Sequence, residues 1–267
     1  MKQALLQRTV DDIVGGYRDL EAPEERKERR VEGSLLFRGF ETLLTMYERF
    51  LSIQHIFLPE AYERIAKTNK RVLTPERVNT FLQAAIRYEQ HRNYSICTGP
   101  FISSLIQNSY NAGHNDFHLN AKAAAEPLSF IGYMLEGKRK EPIRVLIEGS
   151  AGSLCGGKAE CLDCNTSRFT FYDGDPEDNS FDVMVTRYCD FHSELFGDNC
   201  GNLARHCSFT GREFGNDCGY RAKQCSFTGE VFGNGCGSHA YECIFKTSSE
   251  ESVRRLMASV EKGRRNK

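Results

Sequence analysis

The sequence has 267 residues, 40% of them hydrophobic and 27% charged, and a formal net charge of −1, which suits one large folded domain or two modest ones. It contains no apolar run near the roughly 18 to 20 residues that a membrane span needs, and its first sixteen residues carry Asp11 and Asp12 and lack the long apolar stretch of a secretory signal. We therefore expect a cytoplasmic protein without a membrane partner.

Apolar residues recur at helical spacing through most of residues 1–141 and predict an all-α domain there. Thr74, Pro75 and Glu76 form a favourable helix start, with a capping hydroxyl, a proline in the first turn and an acid near the helix N-terminus. The predicted helical segments are residues 2–14, 35–51, 59–70, the helix that starts at Thr74, the helix from Pro100 to Gly113, and residues 121–125 and 128–135.

The densest group of polar residues spans 111–120, where the helical domain gives way to the next region. His114 and His118 are four residues apart, so on a helix they share one face and suit a metal ion, with Asp116 to orient one imidazole or supply a third ligand. Gly113 and the asparagines instead favour a loop or strand, in which these side chains serve ordinary hydrogen bonding. Because pockets tend to form at such junctions, His114, Asp116 and His118 are candidate zinc ligands.

At Pro142 the pattern changes from helical to extended. Residues 143–149 are rich in β-branched side chains and predict a strand. Residues 172–179 are polar and rich in turn formers, and predicted strands at 169–171 and 181–185 flank them. An inserted loop near 165–182 therefore interrupts a second region, which we place at 142–247.

From residue 189 to 247 the sequence repeats itself every 18 residues, in the pattern C-x-F-x-x-x-x-F-G-x-x-C-G-x-x-A-x-x. A unit of this length is too short for a pair of helices. It suits one coil of a β-solenoid, in which equivalent residues stack about 4.8 Å apart. Cysteine and phenylalanine two residues apart face the same side of a strand and predict interior columns. The columns are Cys189, Cys207, Cys225 and Cys243; Cys200, Cys218 and Cys236; Phe191, Phe209, Phe227 and Phe245; and Phe196, Phe214 and Phe232.

An earlier stretch carries the same pattern with a constant offset of 45 residues, so we expect the repeat to begin near residue 143. The matching residues are Gly152, Cys155, Gly156 and Ala159 with Gly197, Cys200, Gly201 and Ala204.

The 11 cysteines are predicted to be reduced packing residues, because sulfur atoms in a line do not form the tetrahedron that zinc requires. Cys161 and Cys164 depart from the columns and form a C-x-x-C pair, which supplies half of a zinc site or simply packs in the core.

Large residues fall at uneven gaps within the unit, and this favours a right-handed parallel β-helix. The glycine-spaced corners, with residues 145–152 ahead of Gly156, resemble the GXGXG-type β-helix that occurs in glutamate synthase large subunits and in formylmethanofuran dehydrogenase. The resemblance covers about residues 143–247. This chain has Cys and Phe where that family has Gly, Val and Ile. The resemblance implies a scaffold, and no catalytic residue carries over from it.

Charge is distributed unevenly along the chain. Residues 142–247 hold 9 Lys and Arg against 15 Asp and Glu, a net of −6, which predicts poor phosphate binding by the solenoid. Residues 248–267 begin with a predicted capping helix over 250–261, whose apolar face is Val253, Leu256, Met257 and Val260. The same segment is a basic tail that either contacts nucleic acid or an acidic partner or is a solvated chain end. Its cations are Arg254, Arg255, Lys262, Arg264, Arg265 and Lys267.

These observations predict an α+β protein: an all-α domain (1–141), a short right-handed β-helix with 18-residue coils (142–247) and a C-terminal capping helix with a basic tail (248–267). The first functional hypothesis is a non-enzymatic scaffold or interaction protein that binds a protein partner or a second copy of itself. The alternatives are a metal-dependent protein or enzyme with a site at the helix–solenoid junction, and an RNA- or ribosome-associated protein that uses the α domain and the basic tail.

Overall fold

A computed structural model describes residues 39–53, 58–125, 127–152, 155–156, 158–169 and 186–265. The predicted helix at 2–14, the polar loop at 172–179 and the predicted strand at 181–185 lie outside these residues. The chain divides into two compact units, Met1–Met46 and Tyr47–Lys267. The structure describes residues 39–46 of the first unit; apart from the first helix, which begins at Glu41, the features below belong to the second.

The N-terminal part of the fold is helical, as predicted. Its helices are α1 (Glu41–Leu51), α2 (Leu58–Thr68), α3 (Pro75–Ala85), a short 3₁₀ turn (Ile86–Tyr88) and α4 (Tyr94–Asn111). Thr74 precedes α3 with extended backbone, and Pro75 stands in the first turn. The predicted start of α4 at Pro100 is wrong, because Pro100 lies inside the helix. A proline there removes one backbone hydrogen bond and leaves the helix continuous.

The predicted helices at 121–125 and 128–135 are also wrong, because these residues form turns of the first solenoid coil. Strand β1 (Asp116–Asn120) pairs in parallel with β2 (Ile143–Ala151), so the solenoid begins before residue 143. The amide of Gly152 donates to the carbonyl of Leu128 over 2.8 Å, and that of Gly156 donates to the carbonyl of Ile131 over 2.8 Å. The apolar residues of this stretch therefore fill a corner of the solenoid. They were predicted to be helical because they are three and four residues apart, which is the spacing typical of a helix.

The remaining strands stack in parallel behind β1 and β2. They are β3 (Leu162–Phe169), β4 (Asp190–Phe196), β5 (Ser208–Phe214), β6 (Ser226–Thr228), β7 (Val231–Phe232) and β8 (Ile244–Lys246), followed by α5 (Glu250–Arg265). The order is β1-β2-β3-β4-β5-β6-β8, and β7 pairs with β5. Glu160 bridges to Arg187, which bridges to Arg205, and these two steps confirm the 45-residue offset. Helices, an 18-residue parallel solenoid and a C-terminal helix together confirm the predicted fold class.

Two stacks of phenylalanine rings fill the interior. Phe209, Phe227 and Phe245 follow one another with ring centroids 4.8 Å apart and nearly parallel planes. Phe214 and Phe232 belong to the second stack, with centroids 4.7 Å apart. Rings of the two stacks meet edge to face, for example Phe214 and Phe227 at 6.1 Å. Since both geometries are favourable for aromatic pairs, the 18-residue period stabilises each ring through neighbours in its own stack and in the other.

Helix α5 buries a different face from the one predicted. Ser252 and Ser259 are buried, whereas Met257 is 63% exposed and Val253 is also exposed. The Ser252 hydroxyl accepts a hydrogen bond from the Phe232 amide over 3.0 Å and donates to the Glu230 carbonyl over 3.1 Å. The helix thus satisfies backbone groups at β7, and a short serine allows this close approach better than an apolar side chain. No helix in the described part of the chain combines the length and apolar character of a membrane span.

Candidate functional site

The outer face of the sheet carries a row of charged side chains at the N-terminal ends of the strands. In each strand, residues that alternate with the interior column point outward. Asp116, Arg144, Asp163 and Asp190 occupy one such position on β1, β2, β3 and β4, and the paired strands hold them in register. The row continues with Ser208, whose hydroxyl lies 2.5 Å from Asp190 Oδ1.

Two groups of ion pairs connect β2 with β1 and with Lys122, which follows β1, on this face. The Arg144 guanidinium contacts both carboxylate oxygens of Asp116, with Nη2 2.7 Å from Oδ2. This hydrogen bond holds the pKa of Asp116 below its usual value. The Glu148 carboxylate accepts hydrogen bonds from two side chains: Lys122 Nζ lies 2.8 Å from Oε2, and His118 Nε2 lies 2.8 Å from Oε1. The hydrogen bond from Lys122 and that from His118 lower the pKa of the Glu148 carboxyl.

Helix α3 forms one wall of a cleft with this face. The Asn79 side chain accepts a hydrogen bond from the Asn120 amide over 2.8 Å, and the Gln83 side chain donates to the Asn120 carbonyl. These bonds fix the helix beside β1. The resulting cleft has a volume of about 670 Å³, and its lining includes Glu76, Asn79, Asp116, Arg144, Leu146 and Asp163.

A second cleft, of about 500 Å³, continues along the same face across β2 to β5. Its lining includes Leu146, His192 and Arg212. Leu146 therefore belongs to both clefts, and 42% of its surface is exposed. An apolar side chain surrounded by fixed charges is typical of a binding surface.

Asp163 is the perturbed acid of the row. Partial burial raises the pKa of its carboxyl, and the nearby charges of Asp190 and Asp116 raise it further, while His192 and Arg144 oppose them. A carboxyl with a raised pKa in a cleft is a candidate functional group.

The predicted metal ligands at the junction are only partly brought together. Asp116 and His118 lie on the outward face of β1, but each is paired with a residue of β2. His114 lies before the strand. The pKa of Glu76 is lowered mainly by its hydrogen bond with Thr74, and the nearby His114 lowers it further. Among the residues that the structure describes, no three His, Cys, Asp or Glu side chains are arranged to hold a metal ion. Zinc binding stays a prediction, and elemental analysis of the purified protein measures it.

The C-x-x-C pair lies inside the solenoid. Cys161 and Cys164 are both buried. Cys164 occupies the interior column between Val145 and Phe191, where its interaction with Cys155 and its burial raise the pKa of its thiol. Burial raises the pKa of the Cys161 thiol as well.

The repeated cysteines form hydrogen-bonded columns in the core. All of them are free thiols, as predicted. The Cys207 thiol donates to the Arg205 carbonyl over 3.2 Å, and the Cys225 thiol donates to the Lys223 carbonyl over 3.3 Å. A hydrogen bond with Cys189, the preceding member of the column, raises the pKa of Cys207 to about 12. In the same way, Cys207 raises the pKa of Cys225 to about 11. These thiols are therefore protonated packing groups at neutral pH.

Alkylation tests this assignment. We expect iodoacetamide to leave Cys207 and Cys225 unmodified in the native protein between pH 7 and about 10, because a thiolate forms only near their raised pKa values. In urea all 11 cysteines should react, and peptide mass spectrometry counts them. Contact with Cys225 raises the pKa of the half-buried Cys243 as well, so it too should stay unmodified in the native protein. Rapid modification of Cys207 in the folded protein would contradict the assignment.

The sequence pattern did not indicate Leu146, Asp163 or His192. Asp163 and Asp190 are equivalent in the sheet but 27 residues apart in the sequence, so the inserted segment hides their relationship. Alternation along each strand is the signal that could have indicated these residues, because each outward residue stands one position from an interior residue.

Fold and site together define a cysteine-rich parallel β-solenoid with an N-terminal helical part and a charged cleft beside its first coils. Comparison of the chain with family models, curated proteins and solved structures gives no match. The resemblance of residues 143–247 to the GXGXG-type β-helix thus stays a prediction.

Proposed function

We propose that this protein is a non-enzymatic interaction module that holds an extended segment of a partner protein in the two clefts on the outer face of its sheet. The observation that supports this function is Leu146, an exposed apolar side chain in the wall of both clefts. Binding surfaces commonly combine such an apolar anchor with a polar rim.

The charges of the cleft indicate what the segment contains. Asp163 and Asp190 stand side by side, and the pKa of Asp163 is raised by burial and by this neighbour. A lysine or arginine of the partner would favour the charged form of Asp163. The segment that fits best therefore has an apolar residue for Leu146 next to a basic residue for Asp163.

A pair of exposed apolar residues provides a matched test. Leu146 is 42% exposed inside the clefts, and Val231 is 43% exposed outside them. Proteins captured from a lysate by the wild-type chain should be retained by Val231→Ser and lost by Leu146→Ser. Since burying a leucine contributes about 1.5–3 kcal/mol, we expect the affinity for an identified partner segment to fall about tenfold or more.

Two results would contradict this function. One is a partner set that is the same for Leu146→Ser and Val231→Ser. The other is self-association, measured by light scattering, that disappears with Leu146→Ser, since the occupant of the clefts would then be a second copy of the chain. A third variant, Asp163→Asn, tests the charge of the cleft. It should weaken the binding of a basic segment without changing the fold.

A further inference from the structure

A ladder of exposed cations runs along a different edge of the solenoid. One position of each coil forms an isolated bridge to the next, and it is occupied in turn by Glu136, Glu160, Arg187, Arg205, Lys223 and Tyr241. All six side chains are exposed. Arg187, Arg205 and Lys223 follow one another directly, and we call these three residues the basic ladder.

The basic ladder places like charges close together. Equivalent positions on neighbouring rungs of a parallel sheet are about 4.8 Å apart, and like charges directly opposite each other are destabilising. Among the described residues, none of the three cations forms an ion pair within 4.0 Å of a carboxylate. The ladder therefore carries positive charge without a direct ion pair in the described part of the protein, and Glu160 is the bridge neighbour of Arg187.

A second group of cations and rings lies beside the ladder. Lys138, Arg139 and Lys140 are exposed in the loop before β2, and the Arg139 guanidinium lies 3.7 Å from the centre of the Tyr188 ring. Tyr188 stacks on His206 with centroids 4.8 Å apart and planes 7° from parallel. Because Tyr188 follows Arg187 and His206 follows Arg205 in the sequence, the rings flank the ladder.

The net charge of the solenoid region conceals this surface. Residues 142–247 carry a net charge of −6, and Glu160 precedes Arg187 on the bridging edge, but the next three bridging positions are all basic. The net charge of the region therefore does not describe these three consecutive cations.

We propose that the basic ladder, with Arg139, Tyr188 and His206, binds single-stranded nucleic acid without sequence preference. Arginine guanidinium groups suit phosphate oxygens, and a positively charged track beside aromatic rings is the common surface for single strands. The cations form a single line one residue wide, so they suit one sugar–phosphate backbone. This binding is independent of the clefts that carry the proposed function.

The test is fluorescence anisotropy with the full chain and a labelled 12-nucleotide oligouridine, measured from 50 to 250 mM salt. We expect the logarithm of the affinity to fall linearly with the logarithm of the salt concentration, by about 0.7 for each phosphate contacted. The triple variant Arg187→Gln, Arg205→Gln and Lys223→Gln should bind more than tenfold less tightly at low salt and reduce that slope by about 2. Circular dichroism verifies that the variant is folded.

A matched variant distinguishes the ladder from net charge. Arg64→Gln, Lys70→Gln and Lys246→Gln also removes three exposed cations, and it should leave the affinity within about twofold. Equal losses for the two triple variants would overturn the proposal. So would equally tight, ladder-dependent binding to vesicles of phosphatidylcholine and phosphatidylserine, since the ladder would then be a general surface for anions.

Discussion

Replacing Phe227 with alanine should lower the free energy of unfolding by about 3–5 kcal/mol. The Phe227 ring is fully buried and stacks between Phe209 and Phe245, each with its centroid 4.8 Å away. Its removal costs transfer free energy and leaves a cavity, because the rings above and below are fixed by the strand spacing. Thermal unfolding followed by circular dichroism should show a decrease in Tm of about 6–20 °C.

Phe245→Ala is the matched control for this substitution. Phe245 ends the same stack, is half-buried, and contacts Phe227 and the edge of Phe232 at 5.8 Å. Its loss should cost about half as much, since a partly exposed site leaves a smaller cavity. Equal costs at the two positions would show that the interior stack does not set the stability of the solenoid.

The sequence predicted the solenoid well where its columns repeat without interruption. The phenylalanine and cysteine columns are visible as an 18-residue period because each interior position must accept the same shape on every coil. The first coil was not recognised from the sequence because its corner is filled by Leu128, Ile131 and Leu135, which do not match the residue types of the repeat. Their spacing of three and four residues is equally typical of a helix, and only their pairing with Ala151, Gly156 and Glu160 of the next coil distinguishes the two.

The candidate site was predictable in location but not in composition. A site was expected at the junction because helices and coils meet there, and the structure places a cleft between α3 and the first strands. Asp116 was identified from its local sequence, whereas its partner Arg144 is 28 residues away and reaches it through strand pairing. One outward position holds Asp116, Arg144, Asp163, Asp190 and Ser208 in turn, so no single residue type marks it on every coil.

Gly219→Ala should destabilise the protein by about 2–5 kcal/mol, which combines about 1–2 for a left-handed backbone and about 1–3 for overpacking. The backbone of Gly219 has a φ of +73°, and an added Cβ atom would lie 2.9 Å from Cζ of Phe227 and 3.1 Å from Cζ of Phe245. The Phe227 ring cannot withdraw, because it is held between Phe209 and Phe245. Urea unfolding measures the change.

The left-handed backbone alone does not require glycine at this corner. Arg221, two residues later, has a φ of +53° and carries a full side chain, as do its equivalents Leu203 and His239. Contact with the Phe227 ring is therefore the additional constraint at Gly219. Gly113→Ala is the control: its φ is +102°, and no atom lies within 4 Å of the added Cβ, so only the backbone contribution should appear.

A double-mutant cycle separates the two contributions at Gly219. In a Phe227→Leu background the flat ring is gone, and Gly219→Ala should cost about 1–3 kcal/mol less than it does in the wild-type chain. If the cost is the same in both backgrounds, the ring contact is not what selects glycine. A reduced cost would mean that the glycine and phenylalanine columns depend on each other, which explains why both recur with the same 18-residue period.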